Sequence, residues 1–241
     1  MTMEILGRMM NASNSTIVVR DNGEQYVYKP VSGERPLWDF PTGTLAAREI
    51  AAFTLSDLAG WNVVPLTQLR EGPMGEGSFQ QWVDADVISV DVVKPSDVPA
   101  DWHVVMTGVD ETGREVTLVH APDVGLRRIA LFDAIINNAD RKGGHILTDE
   151  DGRHYAIDHG VTFHHEPKLR TVLWGWVGQP FTDEEVSLLK ASLIASDHSE
   201  MARLLTEEEI LALKERITGL IELGVFPEPS PNWPSIPWPV F

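Results

Sequence analysis

The stretch from Gly125 to Gly160 limits the possible folds of this chain more than any other. Gly125 to Asn138 carries Leu126, Ile129, Ala130, Leu131, Phe132, Ile135 and Ile136, and is apolar enough for a buried helix. It runs straight into Asn137-Asn138-Ala139-Asp140-Arg141-Lys142-Gly143-Gly144, a polar loop containing glycine. Two short strands are predicted next, near His145 to Leu147 and His154 to Ile157, joined by Thr148-Asp149-Glu150-Asp151-Gly152. The second leads into Asp158-His159-Gly160. One carboxylate leaves a buried helix and a second leaves an apolar strand, an order that can bring both to the same edge of a small sheet.

The rest of the chain reads as a sheet-rich first part and a helical last part. Ser15 to Arg20 and Gln25 to Lys29 form a hairpin about Asp21-Asn22-Gly23-Glu24. Leu45 to Ala59 suits a helix closed by Gly60, and Trp61 to Leu66 and Gly77 to Val83 read as strands. Trp102 to Gly108 and Arg114 to His120 flank a second hairpin, inside a possible insertion over 86–122. Thr182 with Glu185 and Thr206 with Glu209 carry the capping-box pattern of helix starts, and Gly224 ends the last helix. Phe226 to Phe241 has six prolines, two tryptophans and two phenylalanines, which fits an extended tail packed over the body.

Composition removes whole classes of chemistry. With no cysteine among 241 residues there are no disulfides, thiolate nucleophiles or cysteine-ligated metals. A formal charge of −17 repels nucleic acid and anionic membrane surface, so a phosphate ligand must be held by a local site. No window has the apolar length of a membrane span, and Met1 to Gly7 lacks the features of a secretory signal, so a cytoplasmic location is expected.

Two acids at one edge suit phosphoryl transfer, in which one carboxylate lies near the acceptor hydroxyl and another holds the divalent ion on the nucleotide phosphates. Positive charge is also required. Lys29 ends a strand, and Glu49 on the following helix is a natural partner for an ammonium that is costly to desolvate alone. The order lysine, glutamate, Asp-Arg loop and Asp-x-Gly turn resembles the phosphatidylinositol 3-/4-kinase-like family, in an uncharacterised actinobacterial branch, and more distantly the HipA-like kinases. The resemblance covers most of the chain through about Trp176.

That resemblance implies an α+β, bilobal kinase fold, with an N-lobe over 1–83, a C-lobe over 84–226 and the tail over 227–241. It implies ATP and magnesium as cofactors. Lys29 would contact the α/β-phosphates with Glu49 as its partner, Asp140 and Arg141 would form the catalytic Asp-Arg motif, and Asp158 would be the magnesium ligand. Ser13, Asn14, Ser15 and Thr16 occupy the place of the phosphate-covering loop, and Gln81, Trp82 and Val83 that of the hinge facing adenine. The acceptor would be a hydroxyl on a small molecule or a protein, a lipid fitting the acidic chain less well. Lys168 and Arg170 are candidate attractants for an anionic acceptor, with two exposed loop cations as the plain alternative.

One position departs from the family. Where it usually has asparagine as a second metal ligand, five residues after the catalytic aspartate, this chain has His145. Three readings follow: one ion instead of two, a metal such as manganese, or weakened or lost transfer. Two other classes stay open, a nucleotide-binding pseudokinase and a metallohydrolase built on Asp158 with His159, His164 and His165. Asp133, in the buried helix, is expected to cap the helix or to pair with Arg127 or Arg128.

Overall fold

The computed structural model describes residues 3–9, 15–41 and 43–241. Five antiparallel strands open the chain: β1 (Glu4–Arg8), β2 (Ile17–Asp21), β3 (Glu24–Pro30), β4 (Thr67–Gly72) and β5 (Gly75–Gln81), in the order β1-β2-β3-β5-β4. Asp21 faces Glu24 across Asn22-Gly23, both at positive φ, which is the two-residue turn that matches strand twist. One face buries Ile17, Val19, Tyr28 and Phe79, with Tyr28 stacked on Phe79 at 4.4 Å between ring centroids. Between β3 and β4 lies helix α1 (Leu45–Leu58).

The expected strand at Trp61 to Leu66 is instead a loop, and the strand begins after Pro65. Trp61, Val63 and Val64 are all buried, and consecutive inward side chains are incompatible with the alternation of a strand covered on one face. The loop satisfies its donors locally: the Val63 and Val64 amides both donate to Ser56 Oγ, at 3.1 and 3.3 Å, and Trp61 Nε1 donates to Ser192 Oγ at 2.7 Å.

Residues 86–122 hold a separate antiparallel sheet of β6 (Val90–Val93), β7 (His103–Val109) and β8 (Glu115–His120), with β8 in the middle. The expected hairpin is there and gains a third strand. Helix α2 (Val124–Ile136) follows, capped by Asp123, whose carboxylate accepts from the Gly125 amide at 2.6 Å. Leu126, Ile129, Leu131, Phe132, Ile135 and Ile136 are all fully buried at the centre of the main core. At about 1.5–3 kcal/mol for each large apolar side chain, this helix is a principal anchor of the fold. Asn137 ends it at φ 54, turning the chain sharply into the Asp140 loop.

Strands β9 (Ile146–Thr148) and β10 (His154–Ala156) form a short hairpin, and helices α3 (Asp183–Ala195), α4 (Ser199–Leu204) and α5 (Glu207–Leu223) complete the body. Both capping boxes are formed, and Gly224 ends α5 at φ 71. A buried Arg48–Glu209 ion pair ties α1 to α5, fastening the sheet-rich part to the helical part. The proline-rich tail lies over the body: the Thr171 amide and Trp174 Nε1 donate to Ser235 O at 3.0 and 2.9 Å, and the Gly143 amide donates to Val240 O at 2.8 Å. Among the described residues no helix is long and apolar enough to cross a membrane.

Candidate active site

Lys29 leaves β3 with its ammonium inside the molecule, where an unpaired charge would cost several kcal/mol. It is paired twice. Nζ donates to Glu49 Oε1 at 2.5 Å and to Asp158 Oδ1 at 2.7 Å. Burial alone would lower the lysine pKa, but the charges of Asp158 and Glu49 outweigh it and the net direction is upward. Among the described residues these are its two acceptors, which leaves the third ammonium proton for another. Glu49, itself buried, uses Oε2 to accept the His159 amide at 2.9 Å, so one carboxylate fixes both the lysine and the backbone just past Asp158.

Asp158 sits at φ 60, in the left-handed region that costs a non-glycine residue energy and recurs at functional sites. Its carboxylate, 47% exposed, meets Lys29 through one oxygen and His145 Nε2 through the other, at 3.2 Å. Burial raises its pKa, and the Lys29 charge reverses this to leave the carboxyl well below the usual range. His145 Nδ1 lies 3.1 Å from the Asp140 carbonyl, and burial lowers the ring pKa to about 4 despite Asp158.

Asp140 adjoins the same centre, its carbonyl lying against His145. Burial pushes its pKa up, Asp158 adds to this, and Lys142 and Arg170 pull the other way. Lys142 Nζ is 3.5 Å from Asp140 Oδ2, a cation missed by reading the sequence motif by motif. Gly143 is required by close packing, since a Cβ there would lie 2.3 Å from the Phe241 ring.

Arg141 is placed differently from its neighbour. It is fully buried beneath the loop, donating to both Asp133 oxygens, to the carbonyls of His145 and Ile157, and to His159 Nε2 at 2.8 Å. With every direction occupied by protein it acts on the site through the loops it ties together. Asp133 thus pairs with Arg141, correcting the expected partner; Arg127 and Arg128 pair with Glu185 and Glu184 instead. His159 joins the two clusters, its Nδ1 4.0 Å from Glu49 Oε2, and burial followed by the Arg141 charge holds its pKa well below 6.5.

Comparison with known proteins places the chain in a family and in a fold. Protein Rv2133c of Mycobacterium tuberculosis is 45% identical over 257 aligned positions, covering 99% of this chain and 92% of the relative. This chain belongs to the Rv2133c family. Among solved structures it is similar to the Helicobacter pylori proinflammatory kinase CtkA, with a TM-score of 0.51, 11% identity and 93% of each chain covered. At that identity the likeness establishes a kinase-like fold and leaves the substrate open. No protein-family model matches the sequence.

The remaining predicted positions fall around this centre. Ser15 and Thr16 precede β2, whose Ile17 pairs with Tyr28 beside Lys29; Ser13 and Asn14 lie outside the described residues. Gln81, Trp82 and Val83 leave β5 toward the helical part, the Trp82 amide bonding to Gln25 O at 2.9 Å. A separate cavity of about 680 Å³ is lined by Gln81 to Asp84, Asp149 to Asp151 and Tyr155, and includes none of Lys29, Glu49, Asp140, His145 or Asp158.

Lys168 is not an exposed loop cation. It is 2% exposed, paired with Asp39 at 3.0 Å, and lies over the rings of Trp38 and Trp233 at 4.9 and 4.6 Å. His164, His165 and Glu166 cluster apart from Asp158. Both His164 nitrogens are engaged, Nδ1 with the Glu166 amide and Nε2 with Asp39 O, so that ring has no free ligand atom.

Proposed function

We propose that this chain is an ATP-dependent phosphotransferase of the phosphatidylinositol 3-/4-kinase-like type, transferring the γ-phosphoryl group of a metal–ATP complex to a hydroxyl of a small molecule or protein. The observation that carries this reading is the meeting of Lys29, Glu49 and Asp158 within hydrogen-bond distance, from a strand, a helix and a turn far apart in sequence, beside Asp140. Here a lysine with a spare donor is held between two acids, and the outer acid stays half exposed with lone pairs to spare.

These residues fit a nucleotide and a divalent ion. Lys29 would direct its remaining proton at phosphate oxygens, Asp158 would hold the metal, and Gln81 to Val83 would face the adenine, with Ser15 and Thr16 near the phosphates. When bound, metal–ATP supplies the phosphoryl group and neutralises its charge. Asp140 orients the acceptor hydroxyl and takes its proton; burial, by raising its pKa, makes it a better proton acceptor than an ordinary carboxylate. Lys142 is placed to balance the anionic charge gathered there. Arg141 is a positioning residue.

The domain reading follows: an N-lobe over 1–83, a C-lobe over 84–226 and a covering tail, in a cytoplasmic protein. A lipid acceptor fits poorly with a net charge of −17. The test is calorimetric titration of ATP with magnesium or manganese into wild type and Asp158→Ala, followed by incubation with γ- and α-labelled ATP. Metal-dependent binding that the variant loses, with γ-label transferred, supports the proposal. α-Label transfer would make it an AMP transferase, and the absence of any ATP binding would overturn it.

A further inference from the structure

His145 stands where the resembling family usually has asparagine, and its surroundings define what the ring can do. The backbone around it is fixed: its amide donates to Lys142 O at 3.1 Å, and its carbonyl accepts from the Ile157 amide at 3.0 Å and from Arg141 at 3.2 Å. The ring is held as firmly. Nδ1 lies 3.1 Å from the Asp140 carbonyl, which can only accept, so Nδ1 carries a proton and the lone pair of the neutral imidazole falls on Nε2. That is the arrangement seen in metal-binding histidines, whose second nitrogen commonly donates to a carbonyl.

Nε2 faces Asp158 Oδ2 at 3.2 Å. Two acceptor atoms with nothing between them repel, whereas two ligands at right angles on one ion, with bonds of about 2.1–2.2 Å, are separated by about 3.0 Å. The observed spacing is close to that bite. Lys29 occupies the other oxygen of Asp158, so it does not compete for this position.

We propose that His145 is a direct metal ligand together with Asp158, and that it turns this site toward manganese over magnesium. The inference deepens the phosphotransferase reading and rests on it for the nucleotide, though not for the ion itself. The remaining ligands in such a site are carboxylate, phosphate and water oxygens, an octahedral set that admits both ions. One imidazole nitrogen adds affinity for the transition ion and little for magnesium, which prefers oxygen throughout. The other arrangement is an imidazolium that merely donates to Asp158. It leaves no nitrogen for the ion.

The experiment is pulsed electron paramagnetic resonance on manganese bound to the full chain, alone and with a non-hydrolysable ATP analogue, in wild type and His145→Asn. Calorimetric competition with magnesium accompanies it. The expected result is an imidazole nitrogen coupling in wild type that the variant lacks. The variant still binds manganese through oxygen, with its preference over magnesium reduced by about tenfold or more. Manganese bound to wild type without nitrogen coupling, or an unchanged preference in the variant, would overturn the inference. Failure of the analogue to bind with either ion counts against the phosphotransferase reading, while the manganese-alone spectrum still decides His145. A misfolded variant would leave the wild-type spectrum as the deciding measurement.

Discussion

Two ion clusters lie side by side in this molecule, and they are built on opposite plans. Arg141 and Asp133 are both 0% exposed, and each guanidinium direction ends on a protein acceptor. Lys29, Glu49, Asp158 and His145 grade from the buried Glu49 to Asp158, whose carboxylate is 47% exposed. The first cluster is saturated and can only hold loops in place. The second keeps a lysine proton and carboxylate lone pairs available, and chemistry needs that spare capacity. His159 touches both, receiving a hydrogen bond from Arg141 and giving its amide to Glu49. The closed cluster thereby sets the position of the open one.

The sharpest way to break this comparison is to remove one acid from each. On the proposed function, Asp158→Ala is expected to lower turnover on the order of a thousandfold, because it would delete the acid that holds the ion beside the lysine. Its melting temperature should change little, since the lost carboxylate is half exposed and Glu49 still holds Lys29. Asp133→Ala should do the reverse in kind: it strands a fully buried guanidinium, which typically costs about 3–5 kcal/mol and lowers the melting point by roughly 10 °C in a chain of this size. Differential scanning calorimetry on both variants separates the two. An Asp133 variant of unchanged stability would show that Arg141 is not a framework residue.

The open cluster was legible in part because Lys29 and Asp158 stand where elements end, while Glu49, inside α1, was legible only as a partner for the lysine. Lys29 closes β3, Asp140 follows the end of α2 and Asp158 follows β10, so periodicity and turn chemistry locate them before any contact is known. The closed cluster was not legible in this way. Asp133 is flanked by apolar residues in α2, and its partner lies on the loop after the helix; a left-handed turn at Asn137 folds the chain back to bring them together. Arg127 and Arg128 are nearer in sequence, but six and five residues back on the helix they do not share the face of Asp133, and they reach across to α3. Lys168 shows the same limit: whether a loop cation is solvated depends on Trp38 and Trp233, which are distant in sequence.

Acid should reveal the histidine that joins the clusters. His159 and His120 are buried, with pKa values displaced below 6.5, His120 to about 4, and burial is the leading cause in both. Below pH 6.5 the unfolded chain binds protons that the folded chain refuses, so stability falls as pH drops from 6.5 toward 4. Unfolding at pH 5 is expected to take up protons, and the melting temperature should decline steadily across that window. A flat profile between pH 6.5 and 5 would mean that these rings are charged in the fold or open to water.

The smallest effect should come from the tail, and it tests whether the covering segment belongs with the closed cluster or the open one. Trp233 caps Lys168 by ring contact and donates from Nε1 to the Lys168 carbonyl at 3.0 Å. Trp233→Leu removes both interactions and leaves the Lys168–Asp39 pair, so a loss of about 1–3 kcal/mol is expected. The loss should be local. The Gly143 and Thr171 amides donate to the tail carbonyls Val240 and Ser235, and their hydrogen exchange should quicken while the Arg141 amide, which donates to Arg170 O within the body, stays protected. That pattern would mark the tail as a cover that loosens over the Asp140 loop without disturbing the frame beneath it. If the Arg141 amide exchanged faster as well, the tail would be part of the frame, and the boundary between the two clusters would have to be drawn further out.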